Sequence, residues 1–86
     1  MEVTLHDIKQ IYIDLINDKM SREDASNWAF LMMHQEDSGN LSYSPLEYKD
    51  RIWLIIKFLA KFDLQVEPGE YLYGKEDLQE IFKILN

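Results

Sequence analysis

The sequence contains no cysteine, and only three glycines and two prolines occur among its 86 residues. The absence of cysteine excludes disulfide bonds and thiolate metal ligands. A glycine-rich phosphate-binding loop is also excluded, because the glycines are scattered at positions 39, 69 and 74. A chain of this length must therefore rely on apolar burial for its stability, and we expect a single domain over residues 1–86.

Long hydrophobic runs are lacking as well. The most apolar segment, Ile52 to Phe62, is eleven residues long and contains Lys57 and Lys61, whereas a membrane-spanning helix takes about 20 residues. Residues 1–7 lack the basic stretch and apolar run of a signal peptide. We therefore predict a cytoplasmic protein with no membrane partner.

Positive charge is scarce, since sixteen acidic residues against nine basic ones give a formal net charge of −7. The excess is largest over residues 63–80, where six acids accompany Lys75 alone. Nucleic-acid binders take much of their affinity from Lys and Arg contacts with phosphates. The composition therefore predicts no nucleic-acid partner and favours a protein partner with a basic surface. Alternatively, the acids only keep a small apolar domain in solution.

What the sequence does contain is apolar residues at helical spacing, within a chain that is 47% hydrophobic. Thr4, Ser21 and Ser44 are predicted N-caps, and Pro45 suits the first position of a helix. The pattern predicts four helices, at about 5–18, 22–34, 45–62 and 75–85.

The third predicted helix is apolar on most sides between Ile52 and Phe62, and only a strip with Asp50, Lys57 and Lys61 is predicted to face solvent. We therefore expect it to be the central helix, with Trp53 in its core. Residues 64–73 contain Pro68-Gly69 and are not helical; they form either a short β-ribbon or an irregular loop. The predicted fold class is therefore all-α: a compact four-helix domain with one ribbon or loop between the third and fourth helices.

No residue pattern points to catalysis, a metal or a cofactor. The two histidines, His6 and His34, fall on the polar faces of different helices, and zinc needs more nitrogen or sulfur ligands than the chain offers. The segment 37–40 resembles a calcium loop only in composition, because its ligand spacing is wrong. We predict that the protein is not an enzyme and has no catalytic residue, metal or cofactor.

A helix-turn-helix DNA reader is also not expected. About nine residues join the second and third predicted helices, whereas that motif uses a turn of three or four. The third helix is moreover predicted to be buried, which would keep it out of a DNA groove. Both points agree with the acidic composition.

The remaining candidate site is an acidic edge that carries tyrosines. Tyrosine is favoured at protein interfaces, and acidic neighbours speed the encounter with a basic partner. Alternatively, the tyrosines only anchor the 64–73 segment to the core. The predicted partner-binding residues are Glu36, Asp37, Glu67, Glu70, Tyr71 and Tyr73.

Two segments resemble those of a family of uncharacterised short bacterial proteins. The first runs from Ser21 to Ala29 and matches an S-R-E-x-x-S-x-W-A pattern; the second runs from Pro68 to Tyr73 and matches P-G-x-Y-L-y. The resemblance covers most of the chain from residue 21 onward and implies an all-helical fold. By analogy of kind, small acidic bacterial domains include immunity proteins that block toxins.

The predicted function is that of a non-catalytic protein-binding module, either immunity-like or a regulatory partner of a basic protein. One alternative is a self-associating structural or accessory subunit, which is suggested by Phe30 because this apolar residue lies off the stripe that faces the core. The other is a small ligand-binding domain. We expect a monomer or a weak homodimer.

Overall fold

The computed structural model describes residues 1–85. Short 3-10 turns, Leu46–Tyr48 and Lys83–Leu85, precede the third helix and follow the fourth. The other elements are, in chain order, β1 (Glu2–Thr4), α1 (Leu5–Ile16), α2 (Arg22–Asp37), β2 (Ser42–Ser44), α3 (Lys49–Leu59), β3 (Gln65–Glu67), β4 (Glu70–Tyr71) and α4 (Lys75–Phe82).

Two small sheets accompany the four helices, so the all-α prediction is wrong and the fold is mixed α/β. Strand β1 pairs in parallel with β2, which places Val3 beside Tyr43, and both side chains are buried. These strands have only three residues each, too few to show an alternating pattern. Paired residues of the two strands are also some 40 positions apart in the sequence, so no local sequence pattern indicates the pairing.

The segment between α3 and α4 is the ribbon rather than the irregular loop. Strands β3 and β4 pair antiparallel, with Gln65 opposite Tyr71. Gly69 turns the chain at a φ of 82°, a left-handed conformation that glycine adopts without steric strain. The amide of Leu72 then donates to the carbonyl of Leu64 at 2.9 Å, which closes the ribbon beyond β4.

Two predicted helix caps are confirmed. The Thr4 hydroxyl accepts from the Asp7 amide, and the Asp7 carboxylate accepts from the Thr4 amide, both at 3.0 Å. This reciprocal pair is a capping box at the start of α1. The Ser21 hydroxyl accepts from the Asp24 amide at 3.0 Å and caps α2 in the same manner.

The predicted start of the third helix is wrong. Ser44 lies in β2, opposite Thr4, and α3 begins only at Lys49. A residue before proline is disfavoured in helical conformation and prefers an extended backbone. Ser44 therefore continues a strand, and the chain becomes helical after Pro45.

Helix α3 supplies much of the core but does not bury most of its surface. Its buried residues are Ile52, Ile55, Ile56 and Leu59, and Ile8 of α1 and Leu78 of α4 are buried with them.

Neither tryptophan is in the fully buried core. Trp53 and Trp28 pack against that core while remaining partly exposed. The expectation that Trp53 forms the heart of the third helix is therefore wrong, because that position lies at the edge of the apolar stripe. Within residues 1–85, no helix is both long enough and apolar enough to cross a bilayer.

Candidate functional site

The outward side of α3 carries an unusual density of basic side chains. Lys49, Arg51, Lys57 and Lys61 are all exposed, and only one acid, Asp50, occurs between residues 49 and 61. We call these four cations the α3 basic face. In an otherwise acidic protein, this is a local concentration of positive charge.

Helical periodicity produces this face. The buried residues of α3 recur at intervals of three and four, as a stripe that faces the core requires. The outward positions follow the same intervals and bring Asp50, Leu54 and Lys57 onto one side, while Lys49 and Arg51 lie on opposite flanks of the helix and Lys61 follows its end. Leu54 is 48% exposed, so an apolar side chain lies among the cations. Lys57 and Lys61 also lie near the end of the helix where positive charge offsets its dipole.

Aromatic rings hold three of these cations. The Lys49 ammonium lies 5.6 Å from the centre of the Tyr43 ring. The Arg51 guanidinium lies 5.0 Å from the centre of the Tyr48 ring, and the Lys57 ammonium lies 6.0 Å from that of Trp53. A ring attracts a cation through its negative face but does not neutralise it. These contacts therefore orient the side chains and leave their charge available.

Two basic residues outside α3 already form ion pairs. Lys75 pairs with Asp18 at 3.1 Å, and Lys83 pairs with Glu80 at 2.9 Å. In the part of the chain that the structure describes, none of the four residues of the α3 basic face has an acidic group within ion-pair distance. The α3 basic face is therefore the main concentration of uncompensated positive charge in residues 1–85.

Arg22 is engaged in a different way, because its side chain packs inward. Its guanidinium lies 4.2 Å from the centre of the Phe62 ring and 4.1 Å from that of Tyr71. Nη1 also donates to the carbonyls of Phe62 and Tyr73, at 3.0 and 2.6 Å. Arg22 thus ties the hairpin to α2.

The predicted site residues on the hairpin occupy two kinds of environment. Glu67 and Glu70 are exposed and are cross-strand partners in the hairpin, where like charges repel each other. Tyr71 stacks on Arg22 and donates its hydroxyl hydrogen to Glu23 at 3.1 Å.

The Tyr73 ring packs against Phe58, with centroids 5.2 Å apart. Both tyrosines are therefore partly used to anchor the hairpin, which was the alternative interpretation of these two residues.

Glu36 and Asp37 lie at the other end of α2. Asp37 is exposed, whereas Glu36 is half-buried and accepts a hydrogen bond from the Tyr43 hydroxyl at 2.9 Å. Burial, together with the hydrogen bond to Glu36 and its negative charge, raises the pKa of Tyr43 well above its usual value. Glu36 thus has a structural partner within the fold.

The six predicted residues consequently do not form one surface. Tyr71 is bonded to Glu23 near the start of α2, and Glu36 lies thirteen residues further along the same helix. At 1.5 Å per residue, the two groups are separated by about 20 Å. Their role as partner contacts stays a prediction, but any single partner would have to bridge both ends of α2.

The α3 basic face was missed because charge was counted over the whole chain. The local signal is present in the sequence, where residues 49–61 contain four basic residues and one acid. The predicted solvent-facing strip of Asp50, Lys57 and Lys61 is confirmed, since all three are exposed. Arg51 and Leu54 are exposed as well, so the helix is open over a wider side than the sequence predicts. Chain connectivity still excludes a short-turn helix-turn-helix formed by α2 and α3, because residues 38–48 separate them.

Comparison with curated proteins and with solved structures gives no match. In the comparison with protein families, the model of a family described as YxzC DNA-binding protein matches residues 3–84.

That description overturns two predictions. The exclusion of a nucleic-acid partner is wrong, and so is the function of a protein-binding, immunity-like module. The reason is that net charge averages over the molecule, whereas DNA would meet only one face of it. The resemblance to a family of short proteins is supported at the level of a family, and the match spans nearly the whole sequence. The chain belongs to the YxzC DNA-binding protein family.

Proposed function

We propose that this protein binds duplex DNA through the α3 basic face. The observation that carries the proposal is the concentration of four exposed cations within α3 and the turn that follows it, without ion-pair partners in residues 1–85. Phosphate contacts by Lys and Arg are the main source of affinity in protein–DNA complexes. The family description supplies independent support, because it names DNA.

The dimensions of the α3 basic face fit a duplex. Lys49 and Lys57, both within α3, are eight residues apart, which corresponds to about 12 Å along the helix axis. That is about one third of one turn of B-DNA, whose pitch is about 34 Å. An α-helix also fits the major groove, which is about 12 Å wide. Leu54 would then face the base edges, where apolar side chains contact the thymine methyl group.

The rest of the molecule weakens this binding. The net charge of −7 repels DNA at long range, so we expect affinity to depend strongly on ionic strength. If all four cations contact phosphates, the logarithm of the binding constant falls with the logarithm of salt concentration with a slope of about −3.6. Affinity would then drop by about 100-fold between 50 and 200 mM salt.

The test is fluorescence anisotropy with a labelled 25-base-pair duplex, measured from 20 to 200 mM salt. Arg51→Gln and Lys57→Gln remove charge from exposed positions and should leave the fold intact. Each should weaken binding and make the salt slope shallower by about 0.9. Lys19→Gln removes an equal charge from an exposed position outside α3 and serves as the matched control.

Three results would contradict the proposal. Absence of binding at 20 mM salt would exclude a DNA-binding role for the isolated chain. Equal losses in Lys19→Gln and Lys57→Gln would show a diffuse charge effect instead of a defined face. Tighter binding to a single strand of the same length would exclude the duplex as the target.

Three finer statements belong with this proposal. A DNA-binding role accords with the cytoplasmic location expected from the sequence, and we propose that the protein acts without catalysis. We also propose that the segments at residues 21–29 and 68–73 are shared by the family. The structural roles of Ser21, Arg22 and Tyr71 support this, because each stabilises the junction of α2 with the hairpin.

A further inference from the structure

A groove between α1 and α4 lies on different elements from the α3 basic face. It has a volume of about 590 Å³ and is lined by Lys9, Tyr12, Ile13, Gln79, Phe82, Lys83 and Leu85. Volumes of about 300–1,000 Å³ are typical of small-molecule sites. Nothing in the proposed binding of DNA uses these residues.

Two aromatic rings form the apolar part of the groove. Tyr12 and Phe82 lie with their ring centroids 4.6 Å apart and their planes inclined by 31°. Ile13 lies beside them with 47% of its surface exposed. Aromatic pairs in such tilted arrangements accept a further ring in offset or edge-to-face contact.

Cations and an amide accompany this apolar surface. Lys9 is exposed and has no ion-pair partner among residues 1–85. Lys83 shares its charge with Glu80, which raises the pKa of its ammonium group. The Gln79 side chain adds a hydrogen-bond donor to the lining. The groove thus joins an aromatic surface to positive charge.

We propose that this groove binds a small aromatic carboxylate or sulfonate. Its ring stacks on the half-buried Tyr12 and packs against Ile13, with the buried Phe82 behind Tyr12, and its anionic group lies near Lys9. The combination of apolar surface with polar groups that set orientation is typical of ligand sites. The site is independent of the proposed DNA-binding function, so either can fail without the other.

The test uses two fluorescent probes with the same apolar body. The first, 1-anilinonaphthalene-8-sulfonate, is an anion; the second, N-phenyl-1-naphthylamine, lacks the sulfonate. We expect saturable binding of the anion at one site per chain, and tighter binding than for the neutral probe. Lys9→Gln should weaken binding of the anion by about two- to fivefold, the range of an exposed charge pair, and leave the neutral probe unaffected.

A second pair of variants locates the site. Ile13→Glu places a carboxylate in the groove and should abolish binding of both probes. Val66→Glu changes an exposed apolar residue on the hairpin, 58% exposed, and should bind both probes as the unmodified protein does. Circular dichroism and the thermal midpoint verify that each variant is folded.

Three outcomes would overturn the inference. If Ile13→Glu binds normally, or if Val66→Glu loses binding, the probes do not occupy this groove. If both probes bind equally tightly and Lys9→Gln has no effect, the groove does not select anions. No saturable binding up to 1 mM probe would likewise overturn the proposal.

Discussion

At the scale of single residues, Arg22 makes the most consequential contacts in the fold. Its guanidinium lies between the rings of Phe62 and Tyr71 and donates to the carbonyls of Phe62 and Tyr73. One side chain thereby joins the start of α2 to both ends of the hairpin segment. A planar group with several donors can stack and hydrogen-bond together, which lysine cannot do.

Replacing Arg22 with methionine should therefore lower the free energy of unfolding by about 2–3 kcal/mol, because two carbonyls lose a charged donor. Chemical denaturation gives this value. The control is Lys75→Met, which removes an exposed ion pair with Asp18 and should cost less than about 1 kcal/mol. Equal losses in the two variants would show that Arg22 contributes no more than a surface charge.

Tyr43 has a shifted titration with a consequence for stability. Its pKa is raised in the folded protein by burial and by Glu36, so the folded state retains the proton at a pH where the unfolded chain has lost it. The resulting stabilisation is complete below the unfolded pKa of 10.0. Since the unfolded state then binds fewer protons, the free energy of unfolding falls as pH rises above that value.

We expect Tyr43→Phe to lower the free energy of unfolding at pH 7 by about 0.5–1.5 kcal/mol through the lost hydrogen bond. The difference from the unmodified protein should shrink above pH 10. Urea titrations at pH 7, 9 and 10.5 measure this change. Tyr48→Phe is the control, since its hydroxyl has no hydrogen bond within the described residues. A difference that stays constant with pH would contradict the assigned proton linkage.

At the scale of secondary-structure elements, local capping determines where α1 and α2 begin. Thr4 and Ser21 both accept a hydrogen bond from the amide three residues later. The start of α3 follows a different cause, because Ser44 is held in a strand by its pairing with Thr4. A serine can therefore cap a helix only where its backbone is not already paired in a strand.

Ser21→Ala should lower the free energy of unfolding by about 1 kcal/mol, because the Asp24 amide loses its acceptor. Ser21→Asp keeps an acceptor oxygen at the same position and should retain most of the stability. Thermal unfolding of the three proteins provides the comparison. A loss of the same size in Ser21→Asp would mean that the hydroxyl contributes through something other than the cap.

At the scale of the whole molecule, charge is distributed unevenly. Residues 49–61 contain four basic residues and one acid, whereas residues 63–80 contain six acids and one lysine. Exposed acids therefore follow the α3 basic face directly in the chain, on the hairpin and α4. A molecule with this distribution should bind DNA in one orientation, with the acids directed away from the phosphates.

Removing acids from the hairpin should strengthen DNA binding even without a new contact. For the double variant Glu67→Gln/Glu70→Gln we expect an affinity increase of about twofold at 20 mM salt, where the Debye length exceeds about 20 Å. The increase should vanish at 200 mM salt. Glu67→Asp/Glu70→Asp preserves the charge and should bind as the unmodified protein does. A salt-independent increase would indicate a direct contact between the hairpin and DNA.

The candidate site could be predicted only in part from the sequence. The cluster of Lys49, Arg51, Lys57 and Lys61 can be counted without a structure, yet its exposure depends on which side of α3 faces the core. The separation of Glu36 from Tyr71 could not be foreseen either, because it requires the position of the hairpin against the start of α2. The α1–α4 groove likewise exists only when two distant segments pack together.

The sequence by itself determined the four helices, two of their caps and the turn at Gly69, because each depends on residues within one or two turns of one another. Tertiary structure decided the β1–β2 pairing, the half-buried positions of the tryptophans and the inward packing of Arg22. These features depend on contacts between residues far apart in the chain, and such contacts leave no local pattern by which to recognise them.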